Sequence, residues 1–501
     1  MKKRFLNIFL VAGMLLFAPS CSDDFMDLNP SEAVNQDEVF TTVKNGWAAI
    51  NGLHRLMYQQ GGAMDQCGQS AQMIYNDFMG DDVVPLTNQW FVSGTRWLQH
   101  VNENSAHVWH RYRFYYQIIL NANLIIENMA DIAAPEVEKE PIVGQAYAYR
   151  AWAHFELVQF YAERYDPAKA NNDQLGVPLV LNSADGREGL GRATVQQVYD
   201  QIKLDLAKAI ELLDGKTMPA GPAQRSHLSA AVARGILARV SMVTGDWATA
   251  ASMSNAARAG RSLNNHEQML SGLNSITLPE VMWGSHVIPD HTTFFHSFFA
   301  FMSYNFNSTN IRTSPKAINS LLYAQIPDTD IRKQWFEETA ASARARLTAN
   351  SIPTTYSAAP FHSFKFSAVG TTDSRGDVTY MRVAEMFLIE AEALARDGQY
   401  AQAAQVLYDL VSTRDSEYTL STLTGQDLID EIMIQRRIEL WGEGFRWQDL
   451  KRTNSNLDRQ GTNFNQSVHI LLFYPAGGPH WVSLFPRDEI NANPKIVQNQ
   501  H

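Results

Sequence analysis

Gly398-Gln399-Tyr400-Ala401-Gln402-Ala403-Ala404 aligns with Gly245-Asp246-Trp247-Ala248-Thr249-Ala250-Ala251. An alanine stands seven residues before each glycine, Ala238 and Ala391. The pattern is that of a helical hairpin. Glycine makes the turn, the aromatic wedges between two helices, and the alanines allow close approach, in the style of a tetratricopeptide repeat. Outward from these hairpins the chain continues to read as helix. Thr194 and Gln197 form a capping box, and Tyr199, Ile202, Leu206, Ala209, Ile210 and Leu213 follow as one apolar stripe. Gln145 to Arg164 predicts another helix, with Tyr147, Ala151, His154, Phe155, Val158 and Tyr161 on one face.

Two stretches break the helical pattern. From about 262 to 377 the chain offers a short strand near Leu278–Trp283, an aromatic-rich run and a Ser/Thr/Pro/Gly-rich run. From Gln60 to Trp97, Gly61, Gly62, Gly68, Gly80, Pro85 and Gly94 are expected to interrupt any helix. The hairpins are irregularly spaced. The expected fold class is therefore mainly all-α: a tetratricopeptide-like helical-pair scaffold with long loop insertions and a few short strands. A single domain is expected over 41–501, with the loop-rich insertion at about 262–377.

The 501 residues include 41 basic and 52 acidic side chains, a net charge of −11, with 25 Phe, 18 Tyr and 11 Trp. At 45% hydrophobic, the chain can bury enough surface to fold, which excludes disorder. Two cysteines cannot staple a chain this long. The acidic balance and the lack of a basic run argue against nucleic acid as a partner.

Lys2, Lys3 and Arg4 precede an apolar stretch from Phe5 to Phe17, which is too short to span a bilayer. It has the proportions of a secretory signal peptide, here 1–20. Cys21 follows directly and resembles the lipidation site of a bacterial lipoprotein. The acidic segment Ser22 to Asp27 then begins a tether over 21–40. Its acidity resembles a signal for export to the outer cell surface. With Cys21 acylated, Cys67 is the one remaining thiol, read as a small buried apolar residue.

Four further segments carry a family resemblance. They are Arg150-Ala151-Trp152-Ala153-His154-Phe155-Glu156-Leu157-Val158, the helix Arg382 to Ala393, the run Arg436-Arg437-Ile438-Glu439-Leu440-Trp441-Gly442-Glu443-Gly444-Phe445-Arg446-Trp447-Gln448-Asp449-Leu450-Lys451-Arg452, and the tail Phe485 to Pro494. In this order they resemble the signatures of the SusD/RagB family. Gln435 stands where the family usually has Glu, and Arg487 and Asp488 depart from the tail pattern. Arg382, Glu385, Glu390, Glu392, Arg436, Arg437, Glu439 and Glu443 are expected to pair across helices, because charges on apolar helices are seldom buried alone.

The resemblance implies a non-catalytic glycan-binding lipoprotein, lipid-anchored at the outer membrane and surface-exposed. It would bind an oligosaccharide and serve a SusC-like TonB-dependent transporter, with no cofactor. Peptides or glycopeptides are the alternative ligand, and an all-helical glycoside hydrolase is the alternative class. A helical-repeat adaptor binding proteins alone is a third reading. A pyranose presents apolar faces and a hydroxyl edge, which aromatic rings and placed polar groups match. On this ground Trp90, Phe91 and Trp97, with Asn88, Gln89 and Arg96, form one candidate platform, with Asp77, Asp81 and Asp82 upstream. The second runs through Phe298, Phe299, Phe301, Tyr304 and Phe306 with Asn305 and Asn307. The residues expected to touch ligand are Trp90, Trp97, Asn88, Arg96, Asp81, Tyr304 and Asn305. Trp152, Trp247, Trp441 and Trp447 are expected in the core. Phe294-Phe295 and Phe298-Phe299 are alternatively expected to pack on the transporter.

Signals for catalysis are weak. His266-Glu267-Gln268-Met269-Leu270 lacks the second histidine of a zinc protease. His100, His107 and His110 share helical spacing without an acid to complete a metal set. Gly442 to Trp447 is not a dinucleotide loop, and no Gly-x-Ser-x-Gly occurs. Asp81-Asp82 are neighbours, whereas hydrolytic carboxylates face one substrate across roughly 5–10 Å. Calcium is a further reading of the same pair, without a full loop to support it.

Overall fold

The computed structural model describes residues 40–289 and 295–501. The signal segment, Cys21 and Phe294 lie outside the described residues. Helix α1 (Val43–Tyr58) starts at Thr42, whose side chain accepts the Asn45 N–H. Helix α2 (Gly68–Met79) follows, with all of its residues buried. Then come α3 (Ala106–Asp131), α4 (Glu136–Tyr161) and α5 (Val195–Leu213). The two hairpin motifs form α6 (Ala230–Thr244) with α7 (Trp247–Arg258), and, after α8 (Ala340–Ala349), α9 (Val383–Arg396) with α10 (Tyr400–Val411). Helices α11 (Gly425–Glu439) and α12 (Arg446–Arg452) close the scaffold. Successive helices pack side by side: α3 on α4, α4 on α5, α5 on α6, α6 on α7, α7 on α9 and α9 on α10.

The hairpin turns follow the sequence closely. Gly245 and Gly398 take φ of 73° and 79°, the left-handed region that glycine enters freely. Trp247 and Tyr400 begin the second helix of each pair and are half-buried. Trp247 is thus a wedge under the Arg396 guanidinium and not a core residue; Trp152, Trp441 and Trp447 are core. Both bonds of the Thr194–Gln197 capping box form.

Two helical readings change. Helix α4 begins earlier than Gln145 and is buried all round from Ala148 to Tyr161, because α3, α5 and α1 enclose it. Helix α2 lies where glycines were expected to interrupt helix. The glycines instead mark its ends: Gly68, at φ 54°, starts it, and Gly80 follows its last residue. A side chain at Gly68 would sit 2.3 Å from the Met57 carbonyl oxygen, so the chain there takes only glycine. Cys67, just before it, is buried, as expected, and burial pushes its thiol pKa up.

Strands are few and short. Strand β1 (Val83–Pro85) pairs antiparallel with β3 (Lys316–Ile318), which joins β5 (His362–Ser363) and β4 (Phe336–Glu337) in a sheet of order β1-β3-β5-β4. This sheet joins the two loop-rich stretches of the sequence. Strand β2 (Val281–Ser285) pairs with β6 (Val378–Arg382) under the helices.

The signature charges pair as expected. Arg382 bonds Glu280, Glu439 and Glu443 at 2.7 Å each. Arg332 and Lys365, both from the insertion, bond Glu439 at 3.2 Å and Glu443 at 2.7 Å. Arg414 adds pairs to Glu280 and Glu439. Elsewhere Glu385 pairs with Arg239, Glu390 with Arg258, Glu392 with Arg452, and Arg436 with Asp449. The Glu439–Glu443 turn thus ties the insertion to the helical scaffold. Charges this deeply buried persist only when each has its counter-charge and hydrogen bonds.

Candidate functional site

The loop after β1 runs from Leu86 to Leu98 and carries the first platform. Phe91 (φ 70°) and Trp97 (φ 54°) both sit in the left-handed region, so the loop kinks twice. Each kink drives one ring inward. The Phe91 ring lies 4.8 Å from Tyr75 and 4.7 Å from Phe301. Trp97 donates its indole N–H to the Met79 carbonyl at 2.9 Å and meets the Trp481 ring at 4.6 Å. Trp97 is 1% exposed and is core; it has no face to offer a ligand. Trp90, just before the first kink, is left 43% exposed.

Polar side chains set the loop around Trp90. Arg96 donates its Nε–H to the Val468 carbonyl at 2.7 Å and an Nη2–H to Asn88 Oδ1 at 3.1 Å. Gln89 donates to Thr313 Oγ1 at 3.1 Å, and Thr87 to the Thr313 carbonyl at 3.2 Å. Trp90, Asn88 and Arg96 therefore belong to one small surface, braced against Thr313 and Val468. Asn88 keeps its amide N–H groups for another partner.

The other expected contacts are taken by structure. Asp81 is buried and bonds Arg446 Nε at 2.5 Å. Burial would raise its pKa, but Arg446 and Arg437 outweigh it and hold the carboxyl low. Asp82 bonds Arg437 at 2.5 Å, and its backbone carbonyl accepts the Trp441 indole N–H. Asp77 accepts the Gly444 N–H at 2.7 Å, and burial pushes it up to about 8. All three hold the turn before α12 and are not ligand groups. Asn305 spends both ends of its amide on Ala368, at 3.0 and 2.8 Å. It fastens one loop to another. Tyr304 is half-buried, with its ring 4.9 Å from Phe364 and its hydroxyl 3.5 Å from Asn350. Phe298, Phe299, Phe301 and Phe306 are buried, in the helical turn Phe298–Met302 and just beyond it. The second stretch is thus mostly a support under the first, through the Phe91–Phe301 contact.

His100, His107 and His110 do not converge. His100 Nε2 pairs with the His480 carbonyl at 2.7 Å, while His110 lies along Phe114. Burial lowers their pKa values, to about 3 for His100 and about 4 for His110. Among the described residues no group of three His, Cys, Asp or Glu side chains is placed to hold a metal ion.

Residues 24–242 match a family model described as "Starch-binding associating with outer membrane", and residues 295–501 match that of the SusD family. The chain belongs to the SusD family. It is 21% identical to the SusD-like protein P38 of Formosa agariphila, with 99% of each chain covered. Its fold is similar to that of a SusD-like carbohydrate binding protein from Bacteroides vulgatus, at a TM-score of 0.79 and 22% identity over 91% of this chain and 98% of that one. A laminarin binding SusD-like protein is similar at 0.66 and 17% identity, over 92% and 99%. The mainly helical, tetratricopeptide-like fold is that of the family.

Around the Trp90 face of this SusD-family chain lie residues that the sequence reading missed. Leu98 is exposed beside Arg96. Ile470 and Phe473 are exposed in the segment whose Val468 carbonyl receives Arg96. Ile470 takes φ 66°, an unusual conformation for a β-branched residue. The signal was present as the apolar run Ile470-Leu471-Leu472-Phe473, shortly after the largely polar stretch Arg459 to Ser467. Leu472 packs inward near Val84 and Leu86, which leaves Phe473 outward.

Proposed function

We propose that this chain is a non-catalytic lipoprotein of the outer membrane that captures an oligosaccharide at the Trp90 face and delivers it to a SusC-like TonB-dependent transporter. The observation that carries the reading is the exposed Trp90 indole on a loop braced by Asn88 and Arg96, in a chain of a glycan-binding family. A flat ring beside amide and guanidinium donors suits the apolar face and hydroxyl edge of a sugar. Cys21 is the lipid anchor; no described helix is long and apolar enough to cross a membrane. The carboxylates Asp81 and Asp82 are held in ion pairs with Arg446 and Arg437, which speaks against hydrolysis there.

A panel of polysaccharides tests the reading. Binding without released reducing ends is the expected result; turnover abolished by replacing one carboxylate would overturn it. A peptide or glycopeptide is the second reading, favoured by exposed Leu98, Ile470 and Phe473 near Arg96, so peptides belong in the panel. For the anchor, Cys21→Ala should abolish fatty-acid labelling and release soluble protein.

A further inference from the structure

Trp481, whose ring meets Trp97, also walls a cleft of about 700 Å³. The cleft lies between the loop after α4, the end of α12, residues 477–482 and the tail 497–500. Its size falls within the range of ligand pockets, about 300–1,000 Å³. Six charged residues line it: Glu163, Arg164, Asp166, Lys169, Arg192 and Lys451. Arg164 pairs with Asp166 at 3.3 Å. Three cations then face one acid, in a chain whose net charge is −11.

Two of these cations are built in. Lys451 is buried, and its ammonium donates to the carbonyls of Gln159 and Ala162, at 2.5 and 2.7 Å. Arg192 donates to the carbonyls of Gly176, Leu175 and Val497 and to Asn499 Oδ1, at 2.7 to 3.0 Å. Among the described residues no carboxylate stands within ion-pair distance of Lys169, Arg192 or Lys451. Carbonyl oxygens satisfy N–H groups but do not cancel a charge. Burial lowers the Lys451 ammonium to about 7, against the charge of Glu163, which raises it. The remaining wall is rich in amides, including Gln174, Asn454, Gln498 and Gln500.

We propose that this cleft binds an acidic saccharide, its anionic group set against Lys169, Arg192 and Lys451 and its hydroxyls against the amide wall. The site is separate from the Trp90 face and does not depend on the reading of that face. The shared chemistry is a carboxylate or sulfate on a polyhydroxylated ring.

Calorimetry on the chain from residue 22 onward tests it. The probes are a galacturonate trisaccharide, a sulfated trisaccharide, a neutral trisaccharide and inorganic sulfate. At least one acidic saccharide is expected to bind, the two arms telling carboxylate from sulfate. Lys169→Glu and Lys451→Met should each weaken that binding by about tenfold or more, with Trp90→Ala leaving it unchanged. Lys169 is exposed, so its variant stays informative if Lys451→Met does not fold. No binding of either acidic probe at millimolar concentration, unchanged affinity in Lys169→Glu, or loss in Trp90→Ala alone would overturn the proposal. Equal affinity for inorganic sulfate, or for the neutral trisaccharide in Trp90→Ala, would overturn it as well. Loss of neutral-glycan binding in Trp90→Ala reports on the other face only, so the two readings fail separately.

Discussion

Trp90 and Trp97 lie in the same loop and have opposite surroundings, set by the kinks at Phe91 and Trp97. Trp97→Ala empties a packed site and orphans the Met79 carbonyl, and should cost about 3–5 kcal/mol in urea unfolding. Trp90→Ala should leave stability within about 0.5 kcal/mol. It should weaken glycan binding by about 1–2 kcal/mol, measured by calorimetry; unchanged affinity would remove Trp90 from the site. Arg382 meets three glutamates, and Arg382→Met leaves Glu280, Glu439 and Glu443 with less counter-charge. A loss of about 3–5 kcal/mol is expected. That these signature charges pair was legible, because apolar helices do not bury a lone charge. The fates of Trp97, Asp81 and Asn305 were not. A polar, glycine-rich stretch announces irregular backbone, but not which side chains that backbone consumes. The partner of Asp81 is 365 residues away, in a segment that gives no local sign of it.

Among the elements, the two hairpins were the most legible, since turn glycine, wedge aromatic and alanines are local features. They differ in what surrounds the glycine. A side chain at Gly398 meets nothing within 4 Å, whereas one at Gly245 would lie 2.7 Å from Pro167. Gly398→Ala should therefore cost only the left-handed strain, about 1–2 kcal/mol, and Gly245→Ala distinctly more. Equal losses in thermal unfolding would contradict this account. Helix α2 was missed because glycines at a helix's ends look, in sequence, like glycines that break it. Helix α4 was found but misread as one-faced. Tyr149, Trp152, Leu157 and Phe160 lie off the expected face and are buried as well, a sign that a search for one apolar stripe passes over.

At the scale of the whole molecule, burial of histidine sets the response to acid. His100, His154, His362 and His469 are lowered to about 3, and His110 and His227 to about 4, all by burial. Unfolded histidines titrate near 6.5, so from about pH 6.5 down to those values the unfolded chain binds more protons. Stability falls as pH drops through that window, by about 1.4 kcal/mol per pH unit for each histidine. Asp77, raised to about 8, acts in the opposite sense, as do Asp82 and Glu156, whose carboxyls burial also raises, against six histidines. Urea midpoints should already decline between pH 7 and 5, above the carboxylate range; a flat profile there would contradict the burial of these rings. The chain also carries its own clock. In protein made from residue 22 onward, Cys67 is the single thiol, sealed between the end of the α1 segment and the start of α2. A thiol reagent reaches it only when that corner opens. Its labelling rate therefore times opening at the start of α2, with no engineered probe. That rate should quicken in Trp97→Ala and stay unchanged in Trp90→Ala.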